Sequence, residues 1–230
     1  MTHFTLTLAG RRCCLYQTAP DDAVEALALQ CADSRELEAL SPQAEAMAAA
    51  VPGVEFALVA VAVEDWSREL SPWEAEAVYG DEAFGSGAAD TLRALRALLS
   101  VLRRRFPGVR RVLLGGYSLA GLFALWAGYV CGDFDGVAAV SPSVWFPGWL
   151  PFAQERAMRA GAVYLSLGDR EERAKNPVTR RVGECIRAQR ELLAAQGAAC
   201  TLEWNPGGHF KDADLRTAKG FAWLLRQPEG

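Results

Sequence analysis

Ser118 is the residue in this sequence whose surroundings best suit covalent chemistry. It follows the apolar segment 109–115 and lies in the string Gly116-Tyr117-Ser118-Leu119-Ala120, which leads into a helical pattern. A serine on a tight strand-to-helix turn needs small neighbours, and the turn exposes its hydroxyl. The Leu119 amide would then point at an oxygen that becomes negative during attack. The alternative is that Ser118 only caps the helix, since serine is a favoured N-cap residue.

The base that such a serine needs is easy to look for, because the sequence has only two histidines. A serine hydroxyl is a weak nucleophile until a base removes its proton. His3 lies at the N-terminus, where chains usually fray. His209 lies in the glycine-rich segment 204–210, between the last predicted strand and the last predicted helix. Because hydrolases with a strand-to-helix serine follow the chain order Ser, acid, His, we expect His209 to be the base.

Three carboxylates follow the predicted strand 162–167, and each is a candidate for the acid that completes a catalytic triad. The acid holds the imidazole in the right tautomer and stabilises its charged form. Each carboxylate has an alternative role as a solvated loop charge or as part of the acidic first turn of a helix. We rank Glu171 first, Asp169 second and Glu172 third.

Residues 64–87, here called the long loop, show no clear periodicity, and long loops in compact domains are usually functional. The amides of Asp65 and Trp66 are candidates for a second oxyanion donor, because they follow the predicted strand 55–63. Four aromatic side chains of the loop either line a substrate pocket or pack the loop down: Trp66, Trp73, Tyr79 and Phe84. The candidates for substrate contact, which include one residue after the predicted strand 136–140, are Asp65, Trp73, Tyr117 and Trp145.

The elements that must hold these residues alternate between strand and helix. Near-continuous apolar runs such as 55–63 predict strands buried on both faces, as in a parallel sheet. Predicted strands cover 4–8, 12–16, 55–63, 109–115, 136–140, 162–167 and 200–204, and predicted helices cover 34–50, 88–106, 118–130, 178–196 and 213–226. The alternation predicts a doubly wound, mostly parallel α/β sheet with helices on both faces, in a single domain over residues 1–230. In such sheets the site lies at the carboxyl ends of the strands, where all the candidates fall.

Composition argues against several other classes of protein. The net charge is −4 and the sequence pI is about 5.4, so the basic run 103–105 is expected to end a helix rather than to bind nucleic acid. No apolar run approaches the roughly 18 residues that span a membrane, and no signal peptide is visible. The six cysteines lack metal-type spacing, and we expect reduced thiols in a cytoplasmic protein.

Together these motifs resemble the esterase branch of the α/β-hydrolases, which includes esterase D and the enterochelin (siderophore) esterases. The resembling segments follow the expected order: 65–66, 70–73, 115–126, 141–145, 167–171 and 207–210. The resemblance implies hydrolysis of a carboxylic ester through an acyl-enzyme, without metal or organic cofactor. It also implies that Ser118 is the nucleophile, that His209 is the base and that the acid lies at 171. The chain leaves no room for a large cap domain, so the expected substrate is a small or accessible ester.

Two other functions would use the same architecture. An acyltransferase would pass the acyl group to an alcohol instead of water, and the sequence does not separate it from a hydrolase. A binding protein would keep the hydrolase fold without its chemistry. The presence of serine, acid and histidine at strand ends argues against that reading. We expect a small-molecule ester as the partner, with no nucleic acid and no membrane, and the sequence does not indicate an oligomeric state.

Overall fold

A sheet of eight strands runs through the part of the chain that the structure, a computed structural model, describes. The described residues are 1–78 and 80–228, without the side chain of Glu38, so Tyr79 lies outside them. The strands are β1 Thr2–Leu8, β2 Arg11–Gln17, β3 Ala26–Ala32, β4 Phe56–Ala62, β5 Arg111–Tyr117, β6 Gly136–Val140, β7 Ala162–Gly168 and β8 Ala199–Asn205.

The strand order across the sheet is β1-β2-β4-β3-β5-β6-β7-β8. β1 and β2 form an antiparallel hairpin, and β2 is antiparallel to β4, whereas all the other neighbours are parallel. This confirms the predicted, mostly parallel sheet. Because β3 to β8 run in the same direction, their carboxyl ends meet at one edge, where ligands bind in sheets of this kind.

Helices cover both faces of the sheet, as predicted. They are α1 Ser34–Glu38, α2 Ser41–Ala50, α3 Trp66–Glu69, α4 Ala88–Arg105, α5 Leu119–Val130, α6 Trp149–Gln154, α7 Val182–Ala195 and α8 Ala213–Leu225. Leu27 and Leu29 of β3 join the core cluster that contains α4, α5 and α7. The intervening Ala26 and Ala28 join the cluster of α1, α2 and α8. The alternation follows from the two-residue period of a strand, which sends successive side chains to opposite faces.

The elements differ from the sequence prediction in three respects. β3 is not predicted, because it contains no β-branched or aromatic residue, the types that favour strands. The short helices α3 and α6 are not predicted either. The predicted helix 34–50 is two helices, because Asp33 caps α1 with a capping box and Pro42 starts α2. Proline is tolerated in the first turn of a helix but not in its interior.

Within the described ranges, no helix combines the length and the apolar character needed to cross a bilayer.

Candidate active site

Ser118 lies on the sharp turn between β5 and α5. Its backbone has φ 58° and ψ −119°, a positive φ that is uncommon for any residue other than glycine. The turn is held by two hydrogen bonds: the Ser118 amide donates to the Val140 carbonyl (3.0 Å), and the Ser143 amide donates to the Ser118 carbonyl (3.1 Å). The Ser118 side chain makes no capping hydrogen bond. The hydroxyl is therefore free of the helix-capping role that was the alternative.

Small residues around Ser118 make this turn possible. A Cβ on Gly116 would lie 2.6 Å from the Cβ of Ala120, and a Cβ on Gly121 would lie 2.9 Å from the Gly116 carbonyl oxygen. Real Cβ atoms do not approach other atoms so closely, since packed atoms stay at van der Waals distance. The Ala120 methyl group therefore already fills the space that a side chain on Gly116 would need. The alanine thus fits this turn as long as position 116 is glycine.

His209 lies in the loop between β8 and α8 and reaches Ser118. Its Nε2 lies 3.0 Å from the Ser118 Oγ, and its Nδ1 lies 2.7 Å from Oε2 of Glu171. With the proton on Nδ1, the ring donates to Glu171 and accepts from the Ser118 hydroxyl. The loop is held from below by Tyr117, whose hydroxyl donates to the His209 carbonyl. The side chain of His209 is 32% exposed, so a substrate can reach it from solvent.

Glu171, not Asp169 or Glu172, is the carboxylate that contacts His209. The Asp169 carboxylate instead accepts from the Gly207 amide (2.8 Å) and so ties the two loops of the site together. The Glu172 carboxylate pairs with Arg187 near the surface (2.7 Å). Three neighbours in sequence therefore have three different partners, and the first-ranked candidate is the one placed next to the imidazole.

The Glu171 carboxylate is only 7% exposed, and it is surrounded by donors. Its Oε1 accepts from the Ser141 hydroxyl (2.7 Å) and from the Gly168 amide (2.7 Å). Burial alone raises the pKa of this carboxyl. The hydrogen bonds from His209 and Ser141 outweigh burial, and the pKa falls from 4.5 to about 2. Glu171 is therefore ionised at neutral pH, as an acid that stabilises an imidazolium must be.

Two buried residues contact the Glu171 carboxylate in a way that the sequence does not predict. Ser141 begins the segment after β6 that is expected to border the site, and with φ 43° it donates its hydroxyl hydrogen bond to Glu171. Arg216, in the first turns of α8, is 2% exposed and lies 3.0 Å from Oε1 of Glu171. The sequence holds a signal for Arg216, because an arginine on the buried face of an amphipathic helix requires a buried hydrogen-bond acceptor.

The loop after β3 is a further candidate source of the second oxyanion donor, and the sequence analysis does not name it. β3 lies between β4 and β5, with Gln30 opposite Gly115, so its loop leaves the strand next to the Ser118 turn. The Trp66 loop leaves β4, one strand further away. The Asp65 amide already donates to Oε1 of Glu69 (3.1 Å), so it does not point to an oxyanion at Ser118 while this hydrogen bond is kept. Trp66 stays a prediction, and the Ser34 amide at the start of α1 joins it as a candidate.

Asp65 caps α3, and its carboxylate accepts from the Arg68 amide (2.9 Å). It also lines a cavity of about 630 Å³ together with Arg68, Glu74, Phe84 and other residues of the long loop. Neither Ser118 nor His209 lines this cavity. Substrate contact by Asp65 thus stays a prediction, and it would require a substrate that extends from the serine to the long loop.

Aromatic side chains pack the long loop against the segment 145–152. The Trp73 indole donates to the Pro147 carbonyl (2.8 Å), and its ring meets Phe146 edge to face at 5.8 Å between centroids. Phe84 meets the ring of Trp145 at 6.2 Å. Of the two alternatives for these aromatics, packing of the loop is what Trp73 and Phe84 do. Substrate contact by Trp73, Trp145 and Tyr117 stays a prediction.

Among the described residues, no group of three or more His, Cys, Asp or Glu side chains could hold a metal ion.

Comparison with known proteins places this geometry on a known fold. No family model matches the chain, and no curated protein matches it either. An IroE-like serine hydrolase from Shewanella oneidensis superimposes with a TM-score of 0.79 at 15% identity, over 98% of this chain and 80% of that one. The siderophore hydrolase EstA from Aspergillus nidulans gives 0.70 at 19% identity, over 97% and 93%.

A third solved structure, the ferric enterobactin esterase from Salmonella typhimurium, gives a TM-score of 0.72 at 20% identity, over 99% of this chain. This chain spans only 60% of that longer protein. The chain has the α/β-hydrolase fold. Enzymes of that fold carry their triad in the chain order serine, acid, histidine. In this chain Ser118 follows β5, Glu171 follows β7 and His209 follows β8.

Proposed function

We propose that this chain is a serine hydrolase that cleaves carboxylic esters through an acyl-enzyme. The observation that carries the proposal is the hydrogen-bonded series Ser118–His209–Glu171, with 3.0 Å between the first two side chains and 2.7 Å between the last two. These lengths lie within the range that proton transfer between a nucleophile and its base requires. The order and the roles match those of a catalytic triad.

In the proposed reaction, the Ser118 oxygen attacks the ester carbonyl while Nε2 of His209 takes the hydroxyl proton. The ionised Glu171 stabilises the imidazolium that results. The amide of Leu119, at the start of the 12-residue helix α5, donates to the tetrahedral oxyanion. His209 then protonates the leaving alcohol. A water molecule, deprotonated by His209, releases the acid from Ser118.

The exposure of the site favours an accessible ester as the substrate. The Phe210 side chain, next to His209 and in edge contact with its ring at 5.1 Å, is 94% exposed. The solved structures above include enzymes for siderophores, so we include a siderophore ester among the first natural compounds to test. The open site also favours water over an alcohol as the acyl acceptor, because a transferase must exclude water.

The decisive experiment is labelling with a fluorophosphonate, followed by location of the adduct by peptide mass spectrometry. We expect the label on Ser118 of the folded protein and no label in Ser118→Ala. Ser100→Ala, which changes a hydroxyl on the exposed face of α4, is the matched control and should be labelled like the wild type. Folded wild-type protein without label on Ser118 would refute the proposal.

Turnover of a p-nitrophenyl ester is the second test. Ser118→Ala and His209→Ala should each lower kcat by at least about 10⁴-fold, because the members of a triad act as a unit. Product analysis with added alcohol acceptors distinguishes the acyltransferase. A transesterified product in large excess over the free acid would favour that alternative.

A further inference from the structure

Arg216 is a buried cation that contacts the proposed triad, and no step of the reaction above uses it. Among the described residues, Glu171 and Arg216 are the two buried charged side chains. We propose that Arg216 is a positioning residue that holds the Glu171 carboxylate in the orientation in which its other oxygen faces His209. This inference rests on the proposed function.

The guanidinium of Arg216 uses its two terminal nitrogens on different parts of the site. One of them, Nη2, donates to Oε1 of Glu171 (3.0 Å) and to the Ser141 hydroxyl. The other, Nη1, donates to the Tyr117 hydroxyl (2.9 Å) and to the Gly208 carbonyl (3.4 Å). Arg216 is thus hydrogen-bonded to the acid itself, to the residue before the serine and to the residue before the histidine.

These contacts divide the Glu171 carboxylate into two halves with separate tasks. Oε1 accepts from Arg216, from the Ser141 hydroxyl and from the Gly168 amide. Oε2 faces the imidazole of His209. With three donors on one oxygen, the carboxylate cannot rotate without losing them, so Oε2 stays aligned with Nδ1. Alignment of the imidazole is the main task of the acid in a triad.

Arg216 also places a fixed positive charge beside the buried Glu171 carboxylate. A carboxylate buried to this degree is penalised by desolvation. The hydrogen bonds from His209 and Ser141 outweigh this penalty, and the fixed positive charge of Arg216, 3.0 Å from Oε1, adds to them. Removal of Arg216 leaves the Glu171–His209 pair with one positive charge fewer beside it. The acidic limb of a reaction that depends on this pair should therefore move to higher pH.

The other groups that face His209 do not replace this charge. Tyr117, from β5, is a hydroxyl donor, and burial raises its pKa, so it stays neutral. Glu171, from the loop after β7, is the partner already considered. Lys211 is in the same loop as His209, but its side chain is exposed and lies against Gly207. Solvent screens an exposed charge far more than a buried one.

The test is the pH dependence of the rate at which a fluorophosphonate inactivates the protein, since this reports on Ser118 and His209 without any choice of ester. For Arg216→Gln we expect the acidic limb of the profile to move up by about one pH unit, the usual effect of a unit charge at this range. The limiting rate should fall by about 10- to 100-fold, the usual effect of losing hydrogen bonds to a charged group. Arg216→Lys keeps the positive charge but loses the planar guanidinium with its two terminal nitrogens. Its limiting rate should therefore fall, while the acidic limb of its pH profile stays in place.

The matched control is Lys219→Gln, which removes an exposed positive charge from the same helix, where Lys219 pairs with Glu203 (2.8 Å). Neither its limb nor its limiting rate should change. A limb that stays in place in Arg216→Gln, or one that moves equally in Lys219→Gln, would overturn the inference. Wild-type protein that is not labelled at all would instead refute the proposed function, so the two failures are distinguishable.

A double variant covers the case in which Arg216→Gln does not fold, since breaking a buried ion pair from one side is strongly destabilising. Glu171→Gln with Arg216→Gln removes both charges together. If Arg216 acts through Glu171, the double variant should be inactivated within about threefold of the rate of Glu171→Gln alone. A further loss of tenfold or more in the double variant would show a role independent of Glu171 and would contradict the inference.

Discussion

The buried carboxylate of Glu171 makes the acid stability of the protein a test of how the site is built. Glu171 has its pKa lowered from 4.5 to about 2 in the folded protein. A group whose pKa is lowered by folding contributes stability that is fully present above its unfolded pKa and is lost as the pH falls through its folded pKa. The relevant window therefore extends from about pH 5 down to about pH 2. At about 1.4 kcal/mol per pH unit, this contribution is roughly 3 kcal/mol.

The assay is urea unfolding of the wild type and Glu171→Gln, followed by tryptophan fluorescence at several pH values between 7 and 2. Glutamine nearly preserves the shape of the side chain but does not ionise. We expect the difference in the free energy of unfolding to be constant between pH 7 and 5, and to shrink by about 3 kcal/mol towards pH 2. The loss should appear in the urea midpoint at unchanged m.

The control is Glu172→Gln, because Glu172 forms a surface pair with Arg187, and such pairs contribute at most about 1 kcal/mol. Its difference from the wild type should stay small across the range. A pH-independent difference for Glu171→Gln would refute the electrostatic reasoning. A difference that grows as the pH falls would show that desolvation dominates and that Glu171 binds its proton more tightly in the folded protein.

Three further predictions concern the geometry of the site. Gly116→Ala should lower the rate of fluorophosphonate labelling by about tenfold or more, since its Cβ would lie 2.6 Å from Ala120 atoms. The control is Gly132→Ala, whose Cβ would meet nothing within 4 Å and which should be labelled at the wild-type rate. Glu171→Gln should lower kcat on a p-nitrophenyl ester by about 10⁴-fold. Asp169→Asn should lower it by less than about tenfold, because asparagine still accepts the hydrogen bond from the Gly207 amide. A larger loss in Asp169→Asn than in Glu171→Gln would overturn the choice of acid. Trp73→Phe should cost at least about 1 kcal/mol in the free energy of unfolding, measured in urea, because it removes one hydrogen bond and part of the ring contacts with Phe146 and Phe152.

The strands that were predicted correctly are the ones whose sequence differs most from that of a helix. β4, β5 and β6 are short, apolar and bounded by glycine, proline or charged residues, which is typical of a parallel sheet. β3 has the same burial, but its residues are only Ala, Leu, Gln and Cys, none of which is β-branched or aromatic, so they give little local preference for a strand. Its place between β4 and β5 comes from pairing with both neighbours, which is a non-local property.

The sequence by itself determined which serine and which histidine could act together. A strand-to-helix turn with small residues surrounds Ser118, and only one histidine apart from the N-terminal one was available, so scarcity and chain order led to His209. These are local patterns, and the structure brings the two side chains within 3.0 Å of each other.

Only the tertiary structure showed which of Glu171 and Asp169 contacts His209, and that Arg216 lies beside that carboxylate. Two carboxylates that are two residues apart have nearly the same local sequence signal, and their partners come from elements about 40 residues away in the chain. Their roles depend on which of them turns inward, and the buried donors make that choice, since an inward carboxylate needs partners to offset its lost hydration. Arg216 belongs to the same network, and its partner became visible only when α8 was packed against the end of β7.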